Sequence, residues 1–143
     1  MKALFKKSLA VSLLGASLLI SNLAWSGVAV IVHPSNTAEL NQTDISRLFL
    51  GKKKTYANGS EALPVDQAEG SSIRSSFVNT VLNKNEQQVK AYWAQLLFTG
   101  KGTPPKNAES DASVKKLVAE NPAVIGYIDS SQVDDSVRVV FQY

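Results

Sequence analysis

Leu63-Pro64-Val65-Asp66-Gln67-Ala68-Glu69-Gly70-Ser71-Ser72-Ile73-Arg74-Ser75-Ser76-Phe77-Val78-Asn79-Thr80-Val81-Leu82 reads as strand, turn and helix. The apolar piece Leu63-Pro64-Val65 runs into turn residues, and Ile73, Phe77, Val81 and Leu82 then recur at helical spacing. The first turn of such a helix carries backbone N–H groups with no intrahelical acceptor, and its aligned peptide dipoles add partial positive charge. Gly70 lets a ligand come close to the backbone, Ser71 and Ser72 add hydroxyl donors, and Arg74 adds a forked cation within one turn. Together these groups make the chemistry of a small-oxyanion site. The same residues also serve plainer ends: either serine as a helix cap, Gly70 as a turn, Arg74 as a solvent-facing cation.

The segment before residue 27 has the pattern of a leader. Lys2, Lys6 and Lys7 precede an apolar run from Leu9 to Ile20, and Ala24-Trp25-Ser26 puts small residues where a signal peptidase reads. The expected domains are a secretory signal peptide over 1–26 and one folded domain over 27–143. The apolar run is well short of the roughly 20 residues needed to span a bilayer, so no stable membrane anchor is expected after cleavage. The protein is expected in the periplasm or outside the cell.

Charge and composition narrow the function classes. The chain has 15 Lys and Arg against 12 Asp and Glu; without Lys2, Lys6 and Lys7 the two counts are equal, at 12 each. The balance gives no sustained basic face, so nucleic acid is not expected as a partner. There is no cysteine and only one histidine, so neither a thiolate metal site nor a histidine cluster can form, and no cofactor is expected. The 117 residues left after the leader suit one domain able to bury a core without disulfides.

Along the chain, Val28 to Val32 is a β-branched run ending in the polar loop His33-Pro34-Ser35-Asn36, a buried strand followed by a loop. Thr43 is the expected cap of a helix carrying Ile45, Leu48 and Phe49, with Gly51 as its stop. Lys52-Lys53-Lys54 follows, a run explained by solvation and the helix dipole. Asn85 or Lys84 opens a helix with Val89, Tyr92, Trp93, Leu96 and Leu97 on one face, Trp93 being core. Residues 99–106 read as a loop, and Ser110 or Asp111 caps a helix with Val114, Leu117 and Val118. Val124 to Ile128 and Val137 to Phe141 are the last strands, with Gly126 marking a close approach. The order β-α-β-α-α-α-β-β predicts an α/β domain with helices packed on a mixed sheet.

In that order, several strings resemble the phosphate-binding proteins of bacterial ABC importers. They are Leu48-Phe49-Leu50-Gly51-Lys52, the Gly70-Ser71-Ser72 turn with Phe77 on its helix, Trp93, and Ala123-Val124-Ile125-Gly126-Tyr127-Ile128. The resemblance runs from about Val28 to Ile128. It implies a periplasmic-binding-protein-like lobe that binds inorganic phosphate or a similar oxyanion, with an ABC permease, a second lobe or a second protomer as partner. Members of that family trap phosphate between two lobes; this chain has the length of one, similar to the second. They also place an arginine and an aspartate before a Ser-Gly-Thr turn, whereas here no arginine precedes the turn and Arg74 follows it. The anion-binding residues this implies are Gly70, Ser71, Ser72 and Arg74, with Ser35 or Asn36 from the first strand's loop.

Two rival readings come from other classes. The lobe could serve as a non-transporting interaction or regulatory module. An enzyme would have to draw on His33 or on an Asp66 and Glu69 acid pair, residues that read more simply as a surface imidazole and solvated loop charges. No catalytic residue is therefore expected.

Overall fold

A computed structural model describes residues 27–143; the expected leader, 1–26, lies outside the described residues. Strand β1 (Val28–Val32) is buried at every position. Val28, Val30 and Val32 face one core, Ala29 and Ile31 another, which is why the run is continuously apolar rather than alternating. Helix α1 (Gln42–Phe49) follows, capped by Asn41 rather than Thr43. Asn41 Oδ1 accepts from the Asp44 N–H at 2.8 Å, and Asp44 Oδ2 accepts from the Asn41 N–H at 3.3 Å, so a reciprocal pair starts the helix just before Thr43. Gly51 ends it with a φ of +70°.

Strand β2 (Leu63–Gln67) leads to α2 (Ser72–Thr80) and α3 (Glu86–Phe98). A short strand, β3 (Lys106–Ala108), precedes α4 (Asp111–Glu120). Then come β4 (Val124–Asp129), a 3-10 turn at Ser130–Gln132, and β5 (Arg138–Gln142). The observed order differs from the expected one by β3, which lies at the end of a segment read as loop.

The five strands form one mixed sheet in the order β3-β2-β4-β1-β5. β2 runs parallel to β3 and β4, while β1 runs antiparallel to β4 and β5. On one face α1, α2 and α3 cover Val28, Val30, Val32, Ile125 and Tyr127. On the other, Val114 and Val118 of α4 cover Ala29, Ile31, Val65, Val124 and Ile128. Gly126 permits that second contact, because a Cβ there would stand 2.5 Å from Val114 Cγ1. The Phe77 and Tyr127 rings stack with centroids 3.9 Å apart, and Phe49 meets Phe77 edge-on at 4.8 Å. These rings fix α2 to the sheet beyond what area burial alone gives.

The topology leaves one distinctive place. The chain leaves β2 for α2 on one face and leaves β3 for α4 on the other, so a crevice opens between the carboxyl ends of these two parallel strands. In open α/β sheets this is where ligands are received.

Candidate functional site

Gly70 turns the chain at the carboxyl end of β2. Its φ of +87° needs a residue without Cβ, although the space beside it is open. The turn closes through the Ser71 N–H, which donates to the Ala68 carbonyl at 3.3 Å. Ser71 is the cap of α2: its Oγ accepts from the Arg74 N–H at 3.3 Å and donates to Gln67 Oε1 at 3.3 Å. Ser72 and Ile73 follow as the first helical residues, with no residue four back inside the helix to accept from them. Gly70 and Ser72 are exposed.

Beneath the turn lies a polar network. Gln67 is 4% exposed, and its Nε2 donates to Asp111 Oδ1 at 2.6 Å and to the Tyr127 carbonyl at 3.0 Å. Asp111 Oδ2 in turn accepts from the Asp129 N–H at 3.2 Å. One glutamine therefore ties the cap of α2 to the first turn of α4 and to β4, bracing both sides of the crevice.

Arg74, 6% exposed, is not a free surface cation. Its Nη1 donates to Asp66 Oδ2 and to the Gln67 carbonyl, both at 2.9 Å. Its Nε donates to Glu86 Oε2 at 3.0 Å and Oε1 at 3.2 Å. Asp66 also accepts from the Tyr127 hydroxyl and, at 2.9 Å, from the Gln67 N–H. Burial raises the Asp66 carboxyl above its ordinary value, against the opposing pull of Tyr127, Arg74 and the Gln67 N–H. Burial also weakens the Arg74 cation, but the Asp66 and Glu86 charges outweigh it and hold the guanidinium protonated. Burial, followed by the Asp66 charge, lifts the Tyr127 phenol, so it stays a donor.

The structure thus brings Gly70, Ser71, Ser72 and Arg74 to one end of the sheet and leaves Ser35 out. Because β1 is antiparallel to β4 and β2 is parallel to it, the loop after β1 emerges at the opposite end from the loop after β2. A five-residue strand separates them by roughly 15 Å, at ~3.3 Å per residue. Ser35 instead meets His33, with its Oγ 2.7 Å from Nδ1. Asn36 holds the same far end, its Nδ2 donating to the Pro122 carbonyl at 3.4 Å. Asp66 and Glu69 do not form an acid pair: Asp66 is buried against Arg74, and Glu69 is exposed on the turn. Among the described residues, no group of three or more His, Cys, Asp or Glu side chains is placed to hold a metal ion.

Sequence reasoning missed Gln67, Glu86 and Tyr127 as members of this constellation. Glu86 lies twelve residues beyond Arg74, a separation that no local rule connects. Two cavities border this network, one at Glu86 and one at the arginine itself. One, about 270 Å³, is lined by Glu69, Gly70, Glu86, Gln87 and Lys90. The other, about 290 Å³, has Asp66 and Arg74 in its lining beside Trp93, Leu97 and Pro104.

No family model matches the sequence. Among solved structures, the chain is similar to a candidate phosphate ABC transporter substrate-binding protein with bound phosphate from Clostridium perfringens. The TM-score is 0.65, with 25% identity over 80% of this chain and 44% of that one. It is also similar in fold to an ABC-type phosphate transport receptor from Vibrio cholerae (TM-score 0.62, 19% identity, 80% and 45% covered). PstS from Borrelia burgdorferi is a third (0.62, 13%, 80% and 46%). The chain spans under half the length of each. Its five-stranded mixed sheet with helices on both faces is a single α/β lobe of periplasmic-binding-protein architecture.

Proposed function

We propose that this chain is an exported solute-binding lobe that takes a small oxyanion, phosphate foremost, at Gly70-Ser71-Ser72, in the service of an ABC-type importer or sensor. The observation that carries this reading is the exposed first turn of α2 at the carboxyl end of β2, set in the crevice where the sheet topology switches. The likeness to a Clostridium perfringens protein solved with phosphate supports the choice of ligand. Residues 1–26 are the export signal in this reading, and the periplasm is the destination. The helix terminus contributes about 0.3–2 kcal/mol and one charge-assisted hydrogen bond roughly 1.5–3 kcal/mol. Their sum, about 2–5 kcal/mol, corresponds to an affinity from tens of millimolar to a few tenths of a millimolar. Tight capture therefore calls for a second surface, from another lobe, another protomer or a permease.

The test is calorimetric titration of the full chain with inorganic phosphate and sulfate, beside Ser72→Pro. Proline is well suited to the first helical position, and Ser71 before it already has an extended conformation, with φ −66° and ψ 133°. The substitution removes one N–H donor and the Ser72 hydroxyl while keeping the helix. Saturable binding weakened about tenfold or more by Ser72→Pro is the expected result; equal binding by both proteins would move the ligand elsewhere.

One observation favours the second reading, a non-transporting interaction module. Phe98 is 93% exposed and Leu97 51% exposed at the end of α3, a costly display unless something covers it. Self-association or partner capture that Phe98→Ser abolishes, in a chain that binds neither phosphate nor sulfate, would decide for that reading.

A further inference from the structure

The Arg74 guanidinium is shared between two carboxylates that differ in freedom. The Asp66 side chain is 9% exposed and held by Tyr127 and the Gln67 N–H as well. The Glu86 side chain is 37% exposed, sits at the first position of α3, and holds Arg74 Nε with both oxygens. Glu86 also lines the 270 Å³ cavity that opens onto Gly70, with Lys90 one helical turn further along α3. The carboxylate thus stands between this cavity and the buried cation. Asp66 cannot leave without breaking a buried network, whereas Glu86 can swing into solvent by side-chain rotation alone.

We infer that Glu86 is a resident carboxylate occupying the place of the ligand, and that a tetrahedral oxyanion displaces it from Arg74 Nε on binding. This rests on the oxyanion reading above and names its ligand class and the residue that sets affinity. Geometry gives the class. Glu86 lines the 270 Å³ cavity, Asp66 and Arg74 line the 290 Å³ one, and Glu69 and Lys90 line both. With Glu86 swung into solvent, two carboxylates balance two cations, so net charge does not choose the anion. A planar anion can match the two oxygens of Glu86 but keeps every oxygen in that plane, whereas a tetrahedral one turns further oxygens toward the Gly70 turn while it faces Nε.

The experiment is calorimetric titration of the full chain and of Glu86→Gln, Glu86→Ala and Glu86→Gln/Arg74→Gln with inorganic phosphate, sulfate and nitrate. With the resident carboxylate neutralised, phosphate and sulfate are expected to bind about tenfold more tightly than to the unaltered chain. Nitrate is expected to gain much less, and the double variant to lose the gain. A phosphate affinity unchanged or weakened in both Glu86 variants would overturn the exchange while leaving the α2 site standing. A gain kept in the double variant would overturn it too, since relief of general repulsion would then suffice. An equal gain for nitrate would overturn the tetrahedral assignment. No binding of phosphate or sulfate by any of the proteins at tens of millimolar would remove both the exchange and the oxyanion reading.

Discussion

Tyr56 is 2% exposed, and its hydroxyl donates to the Ala123 carbonyl at 2.9 Å. Burial pushes its phenol up to about 12, with a smaller opposing pull from the Asn36 side chain. Above pH 10 the unfolded chain releases this proton while the folded chain keeps it. The folded state then binds more protons, so stability falls as pH rises. The contribution is whole below pH 10 and gone by about pH 12, a slope of about 1.4 kcal/mol per pH unit. Urea unfolding across that range should show the loss, and Tyr56→Phe should make the fall shallower by that amount. The slope does not vanish, because Tyr127 is raised in the same direction. The same variant should lose about 1–2 kcal/mol at neutral pH, where the Ala123 carbonyl loses its donor. A Tyr56→Phe profile parallel to that of the unaltered chain would show that this phenol keeps no proton on folding. At this scale the sequence was only partly legible. A serine cap at Ser71 or Ser72 and Trp93 as core followed from local pattern, because caps and apolar stripes are local physics; the structure uses Ser71. The burial of Arg74 did not, since both of its carboxylates come from other elements of the fold.

At the scale of elements, the contact between α4 and β4 depends on the absence of one methyl group. A Cβ on Gly126 would lie 2.5 Å from Val114 Cγ1 and 3.6 Å from Val118 Cγ2, and the β-branched Val114 has no flexible end to move aside. Gly126→Ala should therefore lower the unfolding free energy by about 1–3 kcal/mol through overpacking. A denaturant midpoint equal to that of the unaltered chain would mean that α4 rides more loosely on the sheet than this packing requires. The sequence showed that a glycine inside an apolar strand invites a close neighbour; which neighbour required the helix to be placed. The helices were legible because each joins an apolar stripe to a capping residue, as Asn85 does for α3 and Ser110 for α4. β3 was not: it has three residues, follows two prolines, and buries only Ala108, so neither periodicity nor length announces it. Threonine caps helices well, yet Asn41 and Asp44 cap each other and so outcompete Thr43.

At the scale of the whole molecule, strand direction decides which loops can cooperate. The register Val28↔Asp129 and Val32↔Ile125 fixes β1 against β4, and Leu63↔Val124 fixes β2 along it. The loops after β2 and β4 therefore share one end, and the loop after β1 belongs to the other. A sequence shows where a strand stops but not which way it runs beside its neighbours, so Ser35 and Gly70 could be read as partners. The geometry turns this into a prediction that does not depend on affinity. In an amide NMR titration of the full chain with inorganic phosphate, the signals of Gly70 to Ile73 and of Glu86 to Lys90 should shift together along one saturating curve. Those of His33 to Ala38 should stay in place, and Ser35→Ala should change the midpoint by less than about twofold. Shifts confined to His33 to Ala38 would put the anion at the wrong end of the sheet for the α2 turn. Joint shifts at both ends would mean that the ligand either moves the sheet as a body or occupies two sites. Ser35→Ala separates those cases, because only a second site would lose its shifts while the first kept its own.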